Sequence, residues 1–350
     1  MHARRRCMTR QEVEAWRDRA FHRLPHLKVR GERTALQFVN GTGFCFTLSD
    51  FGLPVASLYV AVCGRRHPRW PKHTHHDPEI GLTWDLKDRL PAKRLTYYGK
   101  LVRGKPTLVS LSLLPAFCAL IRDGRGSGDY IVDYRQGRMT RAAVAILEAL
   151  HDASPRSTPE LRRAVAMREP DQTAEFDRAM AELQRGLWIV KVEEVYDPDF
   201  YYRWDLLDNW LPDPVAASLD LPRGTAVEQL VASYLRGAAA SQPRFLAGLF
   251  GLAIDEIEAA LRGLAAEGVL SLNRRIRGMP GSWVVWTGGQ RDAASRDPQG
   301  VRREAEGGDP EAEPQGGCGI PSRLTPYASR SVKVLIDGRD TAESMGWTSW

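Results

Sequence analysis

Apolar residues recur at helical spacing through residues 139–287, and the helical stretches come in a repeated order. In RAAVAILEAL (141–150), Val144, Leu147 and Leu150 fall on one face. Ser157 or Thr158 stands where it can cap a second helix with Pro159 in its first turn, and Leu161 and Val165 supply its apolar side. TAEFDRAMAELQRG (173–186) sets Phe176, Met180 and Leu183 at i, i+4 and i+7, with Gly186 in the position of a helix-terminating glycine. LWIVKVEEV (187–195) then alternates and is β-branched, which predicts a strand. About 80 residues later the order returns. TAVEQLVASYLRG (225–237), QPRFLAGLFG (242–251) and IDEIEAALRGLAAEG (254–268) predict three helices, the last with Ile254, Ile257, Leu261 and Leu264 inward and Gly268 at its end. VLSLNRRI (269–276) and SWVVWT (282–287) predict two strands joined by RGMPG.

Three helices followed by a β-hairpin is the winged-helix arrangement. Residues 139–200 and 222–287 are therefore expected to form two tandem modules of that kind. Residues 1–130 read as a mixed α/β region. It holds a helix over MTRQEVEAWRDRAF (8–21, with Val13, Trp16 and Phe21 inward), strands over 43–48 and 57–63, and a short helix over 84–90. A hairpin follows through RLTYYGKLV, RGK and PTLVS (94–110), and then an apolar helix over 113–121. A third, degenerate winged helix in this region is an open alternative. From 288 to 350 the chain is rich in Gly, Pro and charge and lacks apolar periodicity, the composition of a disordered tail. The expected class is α+β.

Composition narrows the picture. Hydrophobic residues make up 43% of 350, enough for substantial cores. No apolar run approaches the roughly 18–20 residues that span a bilayer, so no membrane partner is expected. The basic start, MHARRRC, has no apolar segment behind it and does not read as a secretory signal. Five scattered cysteines with no CxxC pair argue against both a disulfide framework and a zinc ribbon, and point to a reducing cytoplasm. Charge is uneven. Residues 1–110 carry 21 Lys+Arg against 9 Asp+Glu, a net of +12, whereas residues 111–287 carry 20 against 24, a net of −4. A basic first third suits a polyanionic partner; an Arg-rich solvated surface is the plainer reading.

Two clusters could carry chemistry. WPKHTHHDPEIGLTW places His73, His75, His76, Asp77 and Glu79 within seven residues. His73 and His75 would share one side of a strand with Asp77 next in line, a weak metal pattern without HExxH or a distant Cys/His pair. The same segment reads equally as a solvated loop, or as a catalytic loop in which His73, Asp77 and Glu79 work on a base or activate water. In KRLTYYGKLVRGKP, Lys93, Arg94, Lys100, Arg103 and Lys105 interleave with Tyr97 and Tyr98. Cations for phosphates and rings for unpaired bases suit damaged or opened nucleic acid, while a hairpin with core tyrosines and a basic face explains the same pattern. Asn273, Arg274, Arg275 and Arg277 gather at the last hairpin, where they suit phosphates. The third helices of the two modules instead carry acids: Glu175, Asp177 and Glu182 in one, Asp255, Glu256 and Glu258 in the other. No nucleophile elbow, Walker A motif or dinucleotide fingerprint occurs, and no cofactor is expected.

Three stretches taken together resemble the AlkZ-related branch of the winged-helix DNA glycosylase superfamily. They are HTHHDPE followed by Trp84, YYGKLVRGK followed by an apolar helix, and the first repeat ending AELQRGLWIV. The resemblance covers roughly residues 45–285. It implies tandem winged helices clasping double-stranded DNA, with excision of alkylated or cross-linked bases by two glutamines of a QxQ motif. Here Gln37 is followed by Phe38 and Val39, and no QxQ occurs anywhere in the chain. The expected function is DNA binding in repair, with glycosylase chemistry left open. A transcriptional regulator or a protein-interaction scaffold built on the same modules remains the alternative.

Overall fold

The computed structural model describes residues 7–288 apart from Phe51, Ser127, Arg168, Pro170 and Asp171. The expected disordered tail lies, from residue 289 on, outside the described residues.

The chain opens with α1 (Arg10–Ala20), started by a capping box between Thr9 and Glu12. There follow α2 (Glu32–Thr42), β1 (Phe44–Phe46), α3 (Leu58–Cys63), α4 (Pro78–Ala92), β2 (Thr96–Val102) and β3 (Lys105–Ser110). Two helices, α5 (Leu114–Arg122) and α6 (Tyr130–Arg135), lead to α7 (Arg141–Asp152), β4 (Arg156–Ser157), α8 (Thr158–Ala164), α9 (Thr173–Arg185), β5 (Ile189–Val195) and β6 (Tyr201–Leu206). After α10 (Leu207–Trp210) and α11 (Pro212–Leu219) come α12 (Arg223–Ala238), β7 (Ala240–Ser241), α13 (Pro243–Phe250), α14 (Ile254–Ala266), β8 (Leu270–Ile276) and β9 (Met279–Trp286).

One connectivity thus occurs three times: helix, short strand, two helices, hairpin. The three sheets share one antiparallel order, β1-β3-β2, β4-β6-β5 and β7-β9-β8, in which the short strand joins the hairpin's last strand. The N-terminal region, read from sequence as mixed α/β, repeats the connectivity of the two later units.

Residues 57–63 form a helix, not the expected strand. All six residues of α3 are buried, so no polar face reveals the period. Its ends carry the local signals: Ser57 accepts from the Val60 amide, and Gly64 takes the left-handed conformation at φ 61°. Gly186 is likewise not the left-handed residue after α9. It sits at φ −75° and Leu187 takes φ 58°, whereas Gly268 fills the equivalent left-handed position after α14 at φ 76°. Gly186 is needed for space instead, because a Cβ there would lie 2.6 Å from the Trp188 ring.

The first and last units share a single core. Phe38, Phe44, Leu108 and Phe117 pack in one buried cluster with Leu230, Leu246 and Leu261. Gly43 permits this: at φ 75° it lies so close to α12 that a Cβ would stand 2.0 Å from Ser233 Oγ. The middle unit has its own core of Ile146, Leu161, Phe176, Leu183 and Trp204. Its β5 packs on α4 and β2 of the first unit. No described helix is long and apolar enough to cross a membrane.

Candidate active site and nucleic-acid interface

The His73–Glu79 segment is a 3-10 turn (Thr74–His76) running into α4, not a strand. Pro78 opens α4, and Asp77 caps it: one carboxylate oxygen accepts from the Glu79 and Ile80 amides, each at 2.9 Å. Glu79 takes both terminal nitrogens of Arg65, at 3.1 and 2.6 Å, and stands 3.7 Å from Lys28 Nζ. Beside it, burial and the Glu79 carboxylate push the Cys63 thiol up to about 12. His73 is exposed at the start of the turn. Asp77 and Glu79 are thus engaged in building the start of α4. Among the described residues, no group of three His, Cys, Asp or Glu is placed to hold a metal ion.

The tyrosines of the second cluster do not stand free for stacking. Tyr97 is 2% exposed and lies in the shared core, and burial pushes its hydroxyl well above the usual range. This corrects its expected role as a base-stacking surface: alternation along β2 sends it inward. Tyr98, its neighbour on the opposite face, is half-buried. The cations of this cluster are partly committed. Lys93 pairs with Glu32 at 2.6 Å, Arg94 stacks over Trp210 at 4.1 Å, and Lys105 pairs with Asp50 at 3.1 Å. Arg103 donates to the Gly248 carbonyl at 3.1 Å from the β2–β3 turn, while Lys100 is exposed on β2.

At the last hairpin, Asn273, Arg275 and Arg277 are exposed and Arg274 is half-buried. Asn273 adopts φ 52° at an irregularity in the β8–β9 register. The chain start meets this hairpin. Thr9 pairs in parallel with Arg277; the Arg10 amide donates to Arg277 O and the Arg277 amide to Met8 O, each at 2.9 Å. Arg10 is thereby carried to the edge that holds Arg275 and Arg277. Several acids of the third helices are also accounted for. Asp177 pairs with Arg162 at 2.8 Å, Glu182 accepts from the Thr140 amide at 2.9 Å, and Glu256 pairs with Arg223 at 2.7 Å. Those three acids are thus partnered within the chain.

A cleft of about 150 Å³ opens where α4 and β2 meet β5. Lys87, one of the residues α4 buries, meets Asp88 at 2.6 Å and Glu194 Oε1 at 2.9 Å. Lys191 Nζ contacts the same Glu194 oxygen. The second Glu194 oxygen accepts from the Tyr196 hydroxyl at 2.6 Å. Lys191 lies over the rings of Tyr98 and Tyr202, 4.7 and 5.0 Å from their centroids. Burial, aided by the Lys87 charge, pushes the Lys191 ammonium down to about 7, with Asp88 pulling the other way. Sequence reasoning missed this group. A signal existed for Lys87, which occupies the apolar stripe of α4 with Ile80, Thr83, Leu86 and Leu90. Lys191 and Glu194 arrive through packing between units, which local pattern does not encode.

The model of the AlkZ-related family matches residues 29–250, the span that holds this cleft and most of the three repeats. The chain belongs to the AlkZ-related family. Among solved structures it is similar to the Streptomyces sahachiroi DNA glycosylase AlkZ, with 16% identity, a TM-score of 0.50, and coverage of 84% of this chain and 74% of that one. No curated protein matches the sequence. Against the resemblance read from the sequence, the glutamine pair stays absent. On α2 of this AlkZ-related protein, Gln37 is exposed, and Val39, two positions on, is fully buried in the shared core.

Proposed function

We propose that this AlkZ-related protein binds double-stranded DNA through three winged helices and cleaves the N-glycosidic bond of a damaged base in the Lys87–Glu194 cleft. The winged-helix reading is supported by the threefold connectivity, in which a short strand between the first two helices returns to edge the hairpin sheet. The observation that carries the catalytic reading is the cleft itself. It sets Asp88 and Glu194 beside two lysines and Tyr98 in a largely desolvated place, with the Tyr202 ring under Lys191 and the Tyr196 hydroxyl on Glu194.

The chemistry follows from that set. A base must leave the stack to be reached by groups in a cleft. As the C1′–N bond breaks, the sugar gains positive charge and the base takes a proton. We assign to the Asp88 and Glu194 carboxylates the stabilising of that charge and the orienting of the water whose oxygen bonds to C1′. They take the part first assigned to Asp77 and Glu79. The AlkZ name of the similar structure, a DNA glycosylase, agrees with this reading.

Purified protein on a panel of duplexes carrying alkylated bases should yield abasic product, with Asp88→Asn and Glu194→Gln inactive and Asp77→Asn and Glu79→Gln active. No product from any lesion overturns the enzyme; activity lost only in the Asp77 and Glu79 variants moves it back to the His73–Glu79 segment. Binding that ignores salt, or selection of an enriched symmetric DNA site without preference for damage, overturns the repair reading in favour of a scaffold or a regulator.

A further inference from the structure

We infer that Lys191 is a nucleophilic amine that condenses with the aldehyde of an abasic site and cuts the DNA strand beside it. The inference rests on reading the cleft as facing DNA, and it adds to base excision a second reaction on the product of the first.

The argument begins with two lysines and the carboxylates they reach. Lys87 has two within 3 Å, Asp88 at 2.6 Å and Glu194 at 2.9 Å, and its side chain is 6% exposed. Lys191 contacts only the Glu194 oxygen already held by Lys87. Lys87 touches both carboxylates and Lys191 shares one of them, so the amine with the poorer set of partners is the one that sheds its proton. The same conclusion follows from the downward displacement of Lys191 by burial and by Lys87. An amine that is neutral near physiological pH, on the wall of an open cleft and flanked by Tyr98 and Tyr202, is a ready nucleophile for a carbonyl.

Removing a base leaves a C1′ hemiacetal in equilibrium with its open-chain aldehyde. The Lys191 nitrogen bonds to C1′, one of its protons passes to solvent, and the C1′ oxygen, taking two protons from solvent, leaves as water to give a protonated imine. The imine makes the C2′ proton acidic, and a carboxylate, Glu194 or Asp88, takes it. The electron pair of the C2′–H bond becomes a C2′–C3′ double bond as the C3′–O bond breaks and the phosphate departs. Water then hydrolyses the imine, releasing an unsaturated aldehyde and restoring the amine. No oxidant or reductant takes part.

Other titratable and charged groups face Lys191 from each element packed against it. Lys87 and Asp88 approach from α4, Tyr98 from β2, Glu194 from β5, Tyr196 from the turn after it and Tyr202 from β6. Burial raises all three phenols from their ordinary values, so they stay protonated.

The test uses the full chain and a duplex with one abasic site prepared beforehand, so that no base excision is required. Borohydride reduces an imine to a stable secondary amine. Wild-type protein should form a covalent protein–DNA species that maps to Lys191, and without borohydride should nick the strand. Adduct yield should rise through about pH 7 as the amine loses its proton. Lys191→Met and Lys191→Arg should both reduce adduct and nicking to the level of the protein-free control, the methionine variant keeping an unbranched neutral side chain and the arginine variant a basic one that forms no imine. Adduct retained in either variant, or mapped to another lysine, overturns the inference. Binding of the abasic duplex without adduct overturns it too and leaves base excision standing. Absence of binding overturns it together with the DNA reading. Adduct formed on the abasic duplex by a protein that excises no base sustains the inference while removing the glycosylase.

Discussion

Arg122 lays both terminal guanidinium nitrogens on the Asp208 carboxylate, at 3.0 and 2.6 Å, from a side chain only 1% exposed. The same arginine donates to the Leu187 carbonyl at 2.6 Å and stands over the Trp188 ring. It thereby ties α5, in the core shared by the first and last units, to the turn between α9 and β5 in the middle unit. That turn leads directly into the strand carrying Lys191. Replacing Arg122 with Met leaves Asp208 without its partner and the Leu187 carbonyl without its donor. Breaking a buried pair from one side costs roughly 3–5 kcal/mol. Partial exposure of Asp208 puts the expected loss at the lower end, about 3 kcal/mol by the same reasoning, measured as a change in urea unfolding free energy. A loss well under about 1 kcal/mol, the scale of a surface pair, would show that the tie is dispensable.

The contact between the first and last units depends on Gly43. Alanine there must hold φ near 75° and place its Cβ against Ser233 Oγ and Leu113. The backbone penalty alone is about 1–2 kcal/mol, and overpacking adds about 1–3 kcal/mol. Gly43→Ala should therefore lower the melting temperature by several degrees. Adding Ser233→Ala should recover part of the overpacking but none of the backbone penalty. That substitution also removes the Ser233 hydrogen bond to the Thr42 carbonyl, so the recovery is incomplete. A double variant with the full loss of both singles would show that the two residues do not meet.

The sequence was most legible where helices have one wet face. The helices α7, α9, α12 and α14 follow from periodicity because a half-buried helix must alternate, and so do the first strand after α9 and both strands after α14, whereas β6 was not read. It was least legible where elements are wholly buried or locally unsignalled. The six residues of α3 offer no polar side to betray a helix, and α2 starts at Gly31, whose missing side chain cannot cap. Those two helices are the ones needed to recognise the first repeat. The same limit governs the site. Asp77 stood out in the sequence beside histidines, but Asp-Pro before a helix is also what an N-cap looks like. A lysine in the apolar stripe of α4 was the readable sign of the cleft. Its partners on β5 lie about 100 residues away along the chain, and only tertiary packing brings them there.

DNA affinity should depend on the last hairpin in a manner set by salt. Arg275 and Arg277 are exposed, and the paired chain start sets Arg10 beside them. Contacts of this kind hold phosphates and carry no sequence information. Arg275→Ala with Arg277→Ala should weaken binding to every duplex alike, and should reduce the slope of log affinity against log salt by about 0.9 for each phosphate released. Tyr97→Phe should leave that slope unchanged, since the ring is in the core. Fluorescence anisotropy across a salt series measures both. An unchanged slope in the arginine variant would place the phosphate grip elsewhere.

The displaced proton of Lys191 has a thermodynamic signature that is independent of any substrate. An unfolded lysine keeps its proton to about pH 10, whereas folded Lys191 releases it near 7. Between these values the unfolded chain binds more protons than the folded one, so stability rises with pH across that window. The cost of burying this amine is therefore complete below about pH 7 and gone above about pH 10 by the same linkage. Lys191→Met abolishes the cost while keeping an unbranched side chain between Tyr98 and Tyr202. Glu194 retains Lys87 and Tyr196 as partners. The variant should melt several degrees above wild type at neutral and mildly acidic pH, with the gap closing as the pH approaches 10. A gap that does not vary with pH would mean that folded Lys191 keeps its proton, and the neutral amine invoked for imine formation would lose its physical basis.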